Sequence, residues 1–130
     1  MPFLVVNTTR GDAPVADKVE LAATWTSRLK GLLGRDGLPE GEGLHIDPCN
    51  SIHMFFMRFP IDVAFLDEAG KVVRAVHSIK PWRATKVYFD ARSALELPAG
   101  TLAKAGVQEG DVLRFDPKKP GETQLEPPPG

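Results

Sequence analysis

The sequence predicts one α+β domain that is predominantly β, with a small curled antiparallel or barrel-like sheet and one short amphipathic helix. Three observations lead to this fold class. The chain has 130 residues, which is the size of a single domain. Seven short strand-like runs are separated by turn residues. One stretch alone carries the apolar spacing of three and four residues that is typical of a helix.

The seven predicted strands are spread along the whole chain. They cover residues 3–6, 18–22, 52–59, 61–66, 71–77, 94–97 and 112–115. The runs 61–66 and 71–77 are joined by the loop Asp-Glu-Ala-Gly. A four-residue loop of this composition favours an antiparallel hairpin.

The amphipathic helix is predicted near residues 24–34. Its apolar face consists of Trp25, Leu29, Leu32 and Leu33. These positions stand at i, i+4, i+7 and i+8, so they line one side of a helix that Thr24 can cap and Gly34 can end. Residues 101–105 are expected to add a single helical turn that ends at Gly106.

The globular domain is predicted to span residues 1–116. Residues 117–130 contain five of the twelve prolines and a single aliphatic residue, Leu125. Because such a segment cannot bury enough apolar surface to offset the loss of chain entropy, we expect a disordered, proline-rich C-terminal tail.

The charge of the chain is nearly balanced. Sixteen basic and seventeen acidic side chains leave a net charge of −1, which does not predict binding to nucleic acid or to an anionic membrane. No apolar run approaches the roughly 18 residues of a membrane span, and residues 1–6 are too short for the core of a signal peptide. We therefore expect a cytoplasmic protein whose partner is neither a nucleic acid nor a membrane.

The sulfur-containing residues do not indicate a metal site. Cys49 is the sole cysteine, which excludes an intrachain disulfide and a zinc site made of four cysteines. His53 together with a nearby cysteine or methionine sulfur would suit copper or zinc, but the spacing matches no standard metal cluster. We expect no metal and no other cofactor.

The central segment carries the most specific pattern of the chain. Residues 51–67 read SIHMFFMRFPIDVAFLD. This segment resembles the central signature of an uncharacterised ancient-conserved-region family called domain of unknown function 192. RLKGLLGR at 28–35, ALELPAGT at 94–101 and GDVL at 110–113 resemble its flanking motifs, in the right order. The resemblance covers about residues 19–115. It implies a compact β-rich fold and brings no activity, substrate or cofactor with it.

The chain departs from this family pattern at two positions. Leu33 stands where methionine is common, and Met54 stands where some members have threonine. The second departure replaces a hydroxyl group with a thioether, which changes the chemistry available there.

Asp62 is the most informative polar residue of the signature. It stands inside an apolar strand and alternates onto the face of Ala64. A buried carboxylate must be paired or hydrogen-bonded. Arg58 and His53 are candidate partners, and a neutral histidine beside an aspartate could serve acid–base chemistry or ligand binding. In the structural alternative, Asp62 accepts hydrogen bonds from backbone amides of the turn at residues 59–60.

Residues 71–92 combine basic and aromatic side chains. The basic residues are Lys71, Arg74, Lys80, Arg83, Lys86 and Arg92, against the single acid Asp90. The aromatic residues among them are Trp82, Tyr88 and Phe89. Such a mixture can stack on a sugar or a base and pair with a phosphate. Strand alternation could instead scatter the charges over both faces of a solvated surface.

These patterns predict a small non-catalytic ligand-binding or accessory module with a polar site for a sugar-like or anionic small molecule. The predicted ligand-binding residues are His53, Arg58, Asp62, Trp82, Arg83 and Glu96. Glu96 is included because it faces away from the leucines on either side of it in its strand, although it could equally be a solvated residue.

Two other classes of function remain open from the sequence. An enzyme would use Asp62 and His53 as an acid–base pair, with Cys49 or Ser51 nearby. Along a straight strand, Cys49 would lie about 13 Å from His53, so a nucleophile–base contact would need a turn near residues 48–51. A structural or protein-interaction domain would instead show an exposed apolar patch and no pocket. The sequence identifies no protein partner.

Overall fold

The computed structural model describes residues 2–22, 35–55 and 57–118, which form seven strands and one short α-helix. The elements are β1 (Phe3–Asn7), β2 (Ala13–Ala22), β3 (Glu42–Ile46), β4 (Ile61–Leu66), β5 (Val72–Ile79), β6 (Ser93–Pro98), α1 (Thr101–Lys104) and β7 (Leu113–Pro117), with a 3-10 turn at Thr8–Arg10. Within these ranges no helix is long and apolar enough to cross a membrane. The predicted helix over 24–34 and residues 119–130 of the predicted tail lie outside the described residues.

The strands form one sheet in the order β5-β4-β6-β3-β2-β1-β7. β2 and β3 are parallel, and all other neighbours are antiparallel. The two edge strands approach each other at one end, where Lys71 before β5 forms an isolated bridge with Val112 before β7. The sheet therefore curls into a half-barrel, and the predicted fold class is confirmed.

Apolar residues pack on both faces of this sheet. The first core comprises Ala22, Leu44, Ile46, Ile52, Met54, Met57, Phe59, Ile61, Val63, Phe65, Ile79 and Ala94. The second core comprises Val5, Val15, Ala16, Val19, Ala64, Leu66, Val72, Leu95, Leu97, Leu102, Val107 and Leu113. β4 contributes alternate residues to both cores because side chains along a strand point to opposite faces, and it is buried over its whole length.

Two local predictions are confirmed. β4 and β5 form the predicted antiparallel hairpin, with Ile61 paired to Ile79 and Leu66 paired to Val72. In its loop, Oδ1 of Asp67 accepts hydrogen bonds from two backbone amides. The short helical turn is α1, and Gly106 follows it with φ +70°. The turn before β7 contains Gly110 with φ +95°.

β3 is a strand that the sequence prediction missed. It pairs in parallel with β2 and antiparallel with β6, so it joins the two halves of the sheet. Gly43 permits this arrangement, because a Cβ atom there would lie 2.9 Å from Cδ2 of Leu97 and 3.0 Å from the carbonyl oxygen of Glu96. A strand that needs glycine for close approach lacks the apolar alternation that marks strands in a sequence.

The predicted strand over 52–59 is wrong for most of its length. His53 forms a single isolated bridge with Ala84, and the amide of Met57 donates to the carbonyl of Met54 at 3.2 Å, which turns the chain. Apolar residues dominate this segment because it packs onto the first core, and not because it alternates between the faces of a sheet.

Residues 117 and 118, which follow the predicted domain boundary at 116, contact β1 and β2. Pro117 pairs with Phe3 in the β1–β7 ladder, and the amide of Lys118 donates to the carbonyl of Pro2 at 3.0 Å. The Lys118 ammonium is buried and lies 3.8 Å from a carboxylate oxygen of Asp17. Backbone pairing and this ion pair therefore hold Pro117 and Lys118 against β1 and β2.

A buried carboxylate fixes the loop that closes the half-barrel. Oδ2 of Asp111 accepts hydrogen bonds from Nδ2 of Asn7 at 2.9 Å, Nε of Arg10 at 2.8 Å and the amide of Gln108 at 3.0 Å. Burial by itself would raise the pKa of Asp111, but these hydrogen bonds outweigh it and hold the pKa below its ordinary value. Asp111 thus ties β1 to the turn that precedes β7.

We predict that Asp111→Ala destabilises the fold by about 1–3 kcal/mol at neutral pH, because Asn7 and Gln108 keep buried donors that lose their acceptor. A carboxyl group with a lowered pKa contributes stability above its unfolded-state pKa of 3.8, and that contribution is lost as pH falls through the lower folded-state value. Urea unfolding at several pH values should show the difference between wild type and variant shrinking below about pH 4. The exposed Asp36→Ala is the matched control. An equal loss in both variants would contradict this role of Asp111.

Candidate functional site

An irregular antiparallel arm, formed by residues 49–54 and 82–88, lies beside the sheet. The amide of Met54 donates to the carbonyl of Arg83 at 2.7 Å, and the amide of Thr85 donates to the carbonyl of Ile52 at 2.8 Å. The amide of Trp82 also donates to the carbonyl of Met54 at 2.8 Å. Ile52 and Met54 belong to the first core, so the arm is attached to the domain by apolar contacts.

The arm begins at a tight turn over residues 80–83. The amide of Arg83 donates to the carbonyl of Lys80 at 3.3 Å, and Trp82 at the third position has φ +68°. Pro81 at the second position fixes a negative φ, so this is a type II turn. The third position of such a turn favours glycine or asparagine, and a bulky side chain there is strained by about 1–2 kcal/mol. Tryptophan is therefore an unfavourable residue at this position of the backbone.

Trp82 takes part in an aromatic shelf that consists of His53, Phe55 and Trp82. The ring centroids of Phe55 and Trp82 are 6.1 Å apart, and those of His53 and Phe55 are 4.8 Å apart. Trp82 is 60% exposed and Phe55 is 44% exposed. The shelf thus presents ring surface to solvent.

A cleft of about 310 Å³ lies next to the shelf and shares His53 with it. Its other lining residues are Ile46, Pro48, Cys49, Asn50, Ser51 and Ile52. The thiol of Cys49 donates to the carbonyl of Ser51 at 3.1 Å. The volume is at the lower end of the range for small-molecule sites.

The loop that forms the cleft is held from its other side. The amide of Cys49 donates to the carbonyl of Arg92 at 2.8 Å, and Nε of Arg92 donates to a carboxylate oxygen of Asp47 at 2.8 Å. Asp47 raises the pKa of Arg92 through this hydrogen bond. The cleft therefore has a fixed rim on a backbone anchored to β6.

Only part of the basic set predicted over 71–92 lies free at the arm. Arg74 lies 4.0 Å from a carboxylate oxygen of Glu109, and Arg92 pairs with Asp47. Lys71 forms its bridge at the opposite end of β5. The remaining basic residues, Lys80, Arg83 and Lys86, lie in the arm or in the turn that begins it. None of the three has a carboxylate within ion-pair distance among the described residues.

The aromatic residues of the same stretch also divide. Tyr88 is half-buried and packs on Phe65 with ring centroids 4.9 Å apart, while the guanidinium of Arg74 lies 5.1 Å above its ring. Phe89 is 91% exposed and lines a separate cavity with the acidic residues Asp67, Glu68 and Asp90. Trp82 is therefore the aromatic residue of this stretch that belongs to the shelf.

Asp62 lies on the opposite face of β4 from the arm. Its Oδ1 accepts a hydrogen bond from the amide of Ser78 at 2.8 Å, and its Oδ2 accepts one from the amide of Leu102 at 2.9 Å. The predicted backbone anchoring thus exists, but the amides belong to β5 and α1 and not to the turn at 59–60. The sheet separates this carboxylate from His53, whose neighbours Ile52 and Met54 pack onto the first core.

These two hydrogen bonds satisfy donors that regular structure leaves unpaired. Ser78 has φ +49° at a bulge, where the β4–β5 register shifts between Ile61 and Val63. Leu102 is in the first turn of α1, whose N-cap residue Gly100 offers no side-chain acceptor. Asp62, which lies in β4, therefore supplies the acceptor for one unpaired amide in β5 and one in α1.

The remaining predicted residues also lie away from the shelf. Nη1 of Arg58 is 3.3 Å from a carboxylate oxygen of Asp36, and both side chains are exposed. Glu96 is fully buried on the face of the first core, between the cross-strand neighbours Leu44 and Val63. The structure therefore brings together His53, Trp82 and Arg83 of the six predicted residues, and their role in binding stays a prediction.

Sequence reasoning missed Phe55 as a site residue because the segment around it reads as core. The turn itself was recognisable, since Lys-Pro-Trp-Arg has proline at the second position of a tight turn. What the sequence could not reveal is that Phe55 leaves the core and contacts both Trp82 and His53.

Other concave regions offer less chemistry. A larger cavity of about 640 Å³ lies between the start of β2 and the β6–α1 turn, and its two charged lining residues, Glu40 and Lys104, form an ion pair with each other. Among the residues that the structure describes, no three His, Cys, Asp or Glu side chains are grouped so as to hold a metal ion.

We predict that Asp62→Asn destabilises the fold by about 1–3 kcal/mol, because an amide can accept only one of the two backbone hydrogen bonds and presents a donor to the other. Asp67→Asn is a matched control, since both amides at Asp67 donate to the same oxygen, which asparagine retains. Urea unfolding measures both variants. A stable Asp62→Asn protein would contradict the capping role and return Asp62 to the list of candidate site residues.

Comparison with known proteins agrees with the fold and identifies the family. The chain is 32% identical over 124 residues to a UPF0127 protein of Thermococcus kodakarensis, covering 92% of this chain and 77% of that one. It is 33% identical over 121 residues to a UPF0127 protein of Thermococcus gammatolerans, covering 87% and 75%.

Two crystal structures share the fold, each with a TM-score of 0.70. One is a protein of unknown function from Novosphingobium aromaticivorans, at 23% identity over 88% of this chain and 84% of that one. The other is described as a putative transcription regulator from Sinorhizobium meliloti, at 24% identity over 87% and 91%. The family DUF192, described as "Uncharacterized ACR", matches residues 5–115. The chain therefore belongs to the DUF192 family, as its signature segment indicated.

Proposed function

We propose that this protein is a non-catalytic binding module that takes a sugar-like or anionic small molecule in the cleft and on the aromatic shelf. The cleft has the volume for a small ligand, and His53 belongs both to its lining and to the shelf, where the rings of Phe55 and Trp82 are exposed. Stacking on an aromatic side chain contributes about 1–3 kcal/mol, so a few hydrogen bonds in addition would give binding in the millimolar to micromolar range.

The observation that carries the proposal is the position of Trp82. A residue selected for stability at the third position of a type II turn would be glycine, and a residue selected for burial would not be 60% exposed. Strained backbone that carries an exposed aromatic side chain is typical of sites whose role is recognition. Ligand binding explains both features together.

An enzyme based on a His53–Asp62 pair has less support. Such a pair must share a pocket within hydrogen-bond reach, whereas both oxygens of Asp62 accept hydrogen bonds from backbone amides on the other face of β4. A binding module needs no contact between these two residues. The proposal therefore uses His53 without Asp62.

The test uses Trp82→Gly in the full chain. Because glycine adopts positive φ without strain, we expect the free energy of unfolding to stay within about 1 kcal/mol of wild type or to rise, whereas removing a structural tryptophan would cost about 3–5 kcal/mol. Binding should be lost. A thermal-shift screen with neutral sugars, sugar phosphates, nucleosides, nucleotides and inorganic phosphate measures both properties.

Phe89→Ala is the control, because it removes another exposed aromatic ring that lies outside the cleft and the shelf. We expect this variant to bind as wild type does. The proposal fails if Trp82→Gly binds as well as wild type, or if it unfolds far more easily, since the ring would then be a structural element.

A further inference from the structure

We infer that this site recognises the hydroxyl groups of a ring compound, which the side chains of Asn50 and Ser51 bind in the cleft. The inference rests on the proposed function and names its ligand class: a sugar or the ribose of a nucleoside, bound through hydroxyl groups and not through a charge. The two sources share a hydroxyl-bearing ring, and the experiment below distinguishes them.

The first argument is the state of Asn50 and Ser51, which are half-buried and line the cleft. Their backbone is held in place. The carbonyl of Asn50 accepts a hydrogen bond from the amide of Tyr88 at 2.9 Å, and the carbonyl of Ser51 accepts one from the thiol of Cys49 at 3.1 Å. Within the described residues, neither of the two side chains makes a hydrogen bond. A carboxamide and a hydroxyl group therefore stand on a fixed loop without a partner in the described part of the chain.

Thr85, in the opposite half of the arm, provides the contrast. Its Oγ1 accepts a hydrogen bond from the amide of Ile52 at 2.9 Å and donates one to the carbonyl of Lys86 at 2.9 Å. This hydroxyl group therefore helps to hold the arm together. The side chains of Asn50 and Ser51 make no such contact among the described residues. Because a ligand pocket owes its specificity to a few well-placed polar groups, these two side chains are the ones available to a ligand.

The second argument is the lack of a fixed charge among the described residues that line the cleft. Besides Asn50 and Ser51, they are Ile46, Pro48, Cys49, Ile52 and His53. An anionic group that enters such a cleft loses hydration and finds no permanent cation to replace it. A hydroxyl group needs only a neutral donor or acceptor, which an amide and another hydroxyl group supply.

The charged residues nearest to the cleft along the chain do not change this picture. Asp47 and Arg92 pair with each other at 2.8 Å. His53 pairs with Ala84 across the arm, so the side chain of the adjacent Arg83 lies on the opposite face of the arm from His53. Recognition in the cleft therefore depends on hydrogen bonds between neutral groups.

The third argument is the match between these groups and a sugar ring. A sugar hydroxyl group both donates and accepts hydrogen bonds, as do the carboxamide of Asn50 and the hydroxyl group of Ser51. His53 belongs both to the lining and to the shelf, so a ring in the cleft meets an aromatic surface at this residue. The C–H face of a sugar is apolar and suits contact with an aromatic ring. The site thus offers partners for both kinds of surface that a sugar presents.

The experiment measures affinities by titration calorimetry on the full chain. The sugar probes are glucose, its 2-, 3- and 4-deoxy derivatives, and glucose 6-phosphate. The nucleoside probes are adenosine, 2′,3′-dideoxyadenosine and adenosine monophosphate. In the series that binds, we expect a deoxy compound to bind about fivefold or more weakly than its parent, because it loses a hydrogen bond. The phosphorylated compound should bind within about threefold of its parent, with little change as salt increases.

Asn50→Ala and Ser51→Ala connect this preference to the cleft. Each variant should weaken binding of the parent compound about fivefold, and at least one of them should bind the parent and a deoxy compound equally. Both should unfold at the same urea concentration as wild type, because neither side chain makes a hydrogen bond among the described residues. Gln108→Ala removes an exposed amide outside the cleft and is the matched control, which should bind as wild type does.

Each outcome has a distinct meaning. Deoxy compounds that bind as tightly as their parents, or full affinity in both cleft variants, would overturn the inference and leave the proposed function standing if Trp82→Gly still loses binding. Early unfolding of both cleft variants would assign the two side chains to the fold and would also overturn it. A phosphorylated compound that binds at least about tenfold tighter than its parent would overturn it in favour of recognition by charge. No binding by any probe would count against both proposals.

Discussion

The carboxylate of Asp62 is the interaction on which the position of the candidate site depends. Because β4 is buried over its whole length, a charge on it must accept hydrogen bonds, and the two amides that donate to it belong to β5 and α1. The amide of Ser78 is held in a bulge with positive φ. The turn over residues 80–83 begins two residues after Ser78. The chain that carries Trp82 therefore leaves the sheet at a point that Asp62 fixes. A buried residue far from solvent thereby determines where an exposed ring lies.

The domain was predictable from sequence where local pattern and tertiary packing agree. The β4–β5 hairpin has strong alternation and a suitable loop, and the turn at α1 ends in glycine. β3 could not be found in this way, because Gly43 reflects a close approach to Leu97 that no local pattern encodes. The segment 52–59 was wrongly predicted to be a strand for the opposite reason. Its apolar residues pack onto the first core from an irregular arm, and composition alone does not distinguish such packing from a strand.

The candidate site was predictable in part. His53, Trp82 and Arg83 were predicted as site residues because they are polar or aromatic residues within apolar or turn segments. The structure places these three on one arm. Asp62 and Glu96 attracted attention for the same reason, yet both are buried on the sheet. A charged residue in an apolar strand indicates only that it needs partners. Whether those partners are backbone amides or a ligand is decided by the fold. The sequence likewise could not show that Arg83 lacks a carboxylate partner among the described residues, because the fold decides which carboxylates the arginines meet.

Stability and recognition are separable at the turn over 80–83. Trp82 strains the backbone and exposes its ring, while Arg83 beside it has no carboxylate partner among the described residues.

The most direct test is a two-dimensional NMR spectrum of the labelled full chain during titration with glucose 6-phosphate and with adenosine monophosphate. We expect one of them to shift the indole signal of Trp82 and the amides of residues 50–55 and 82–86, and to leave the amide of Leu102 unchanged. Shifts confined to the β6–α1 cavity, or none with either compound, would contradict it.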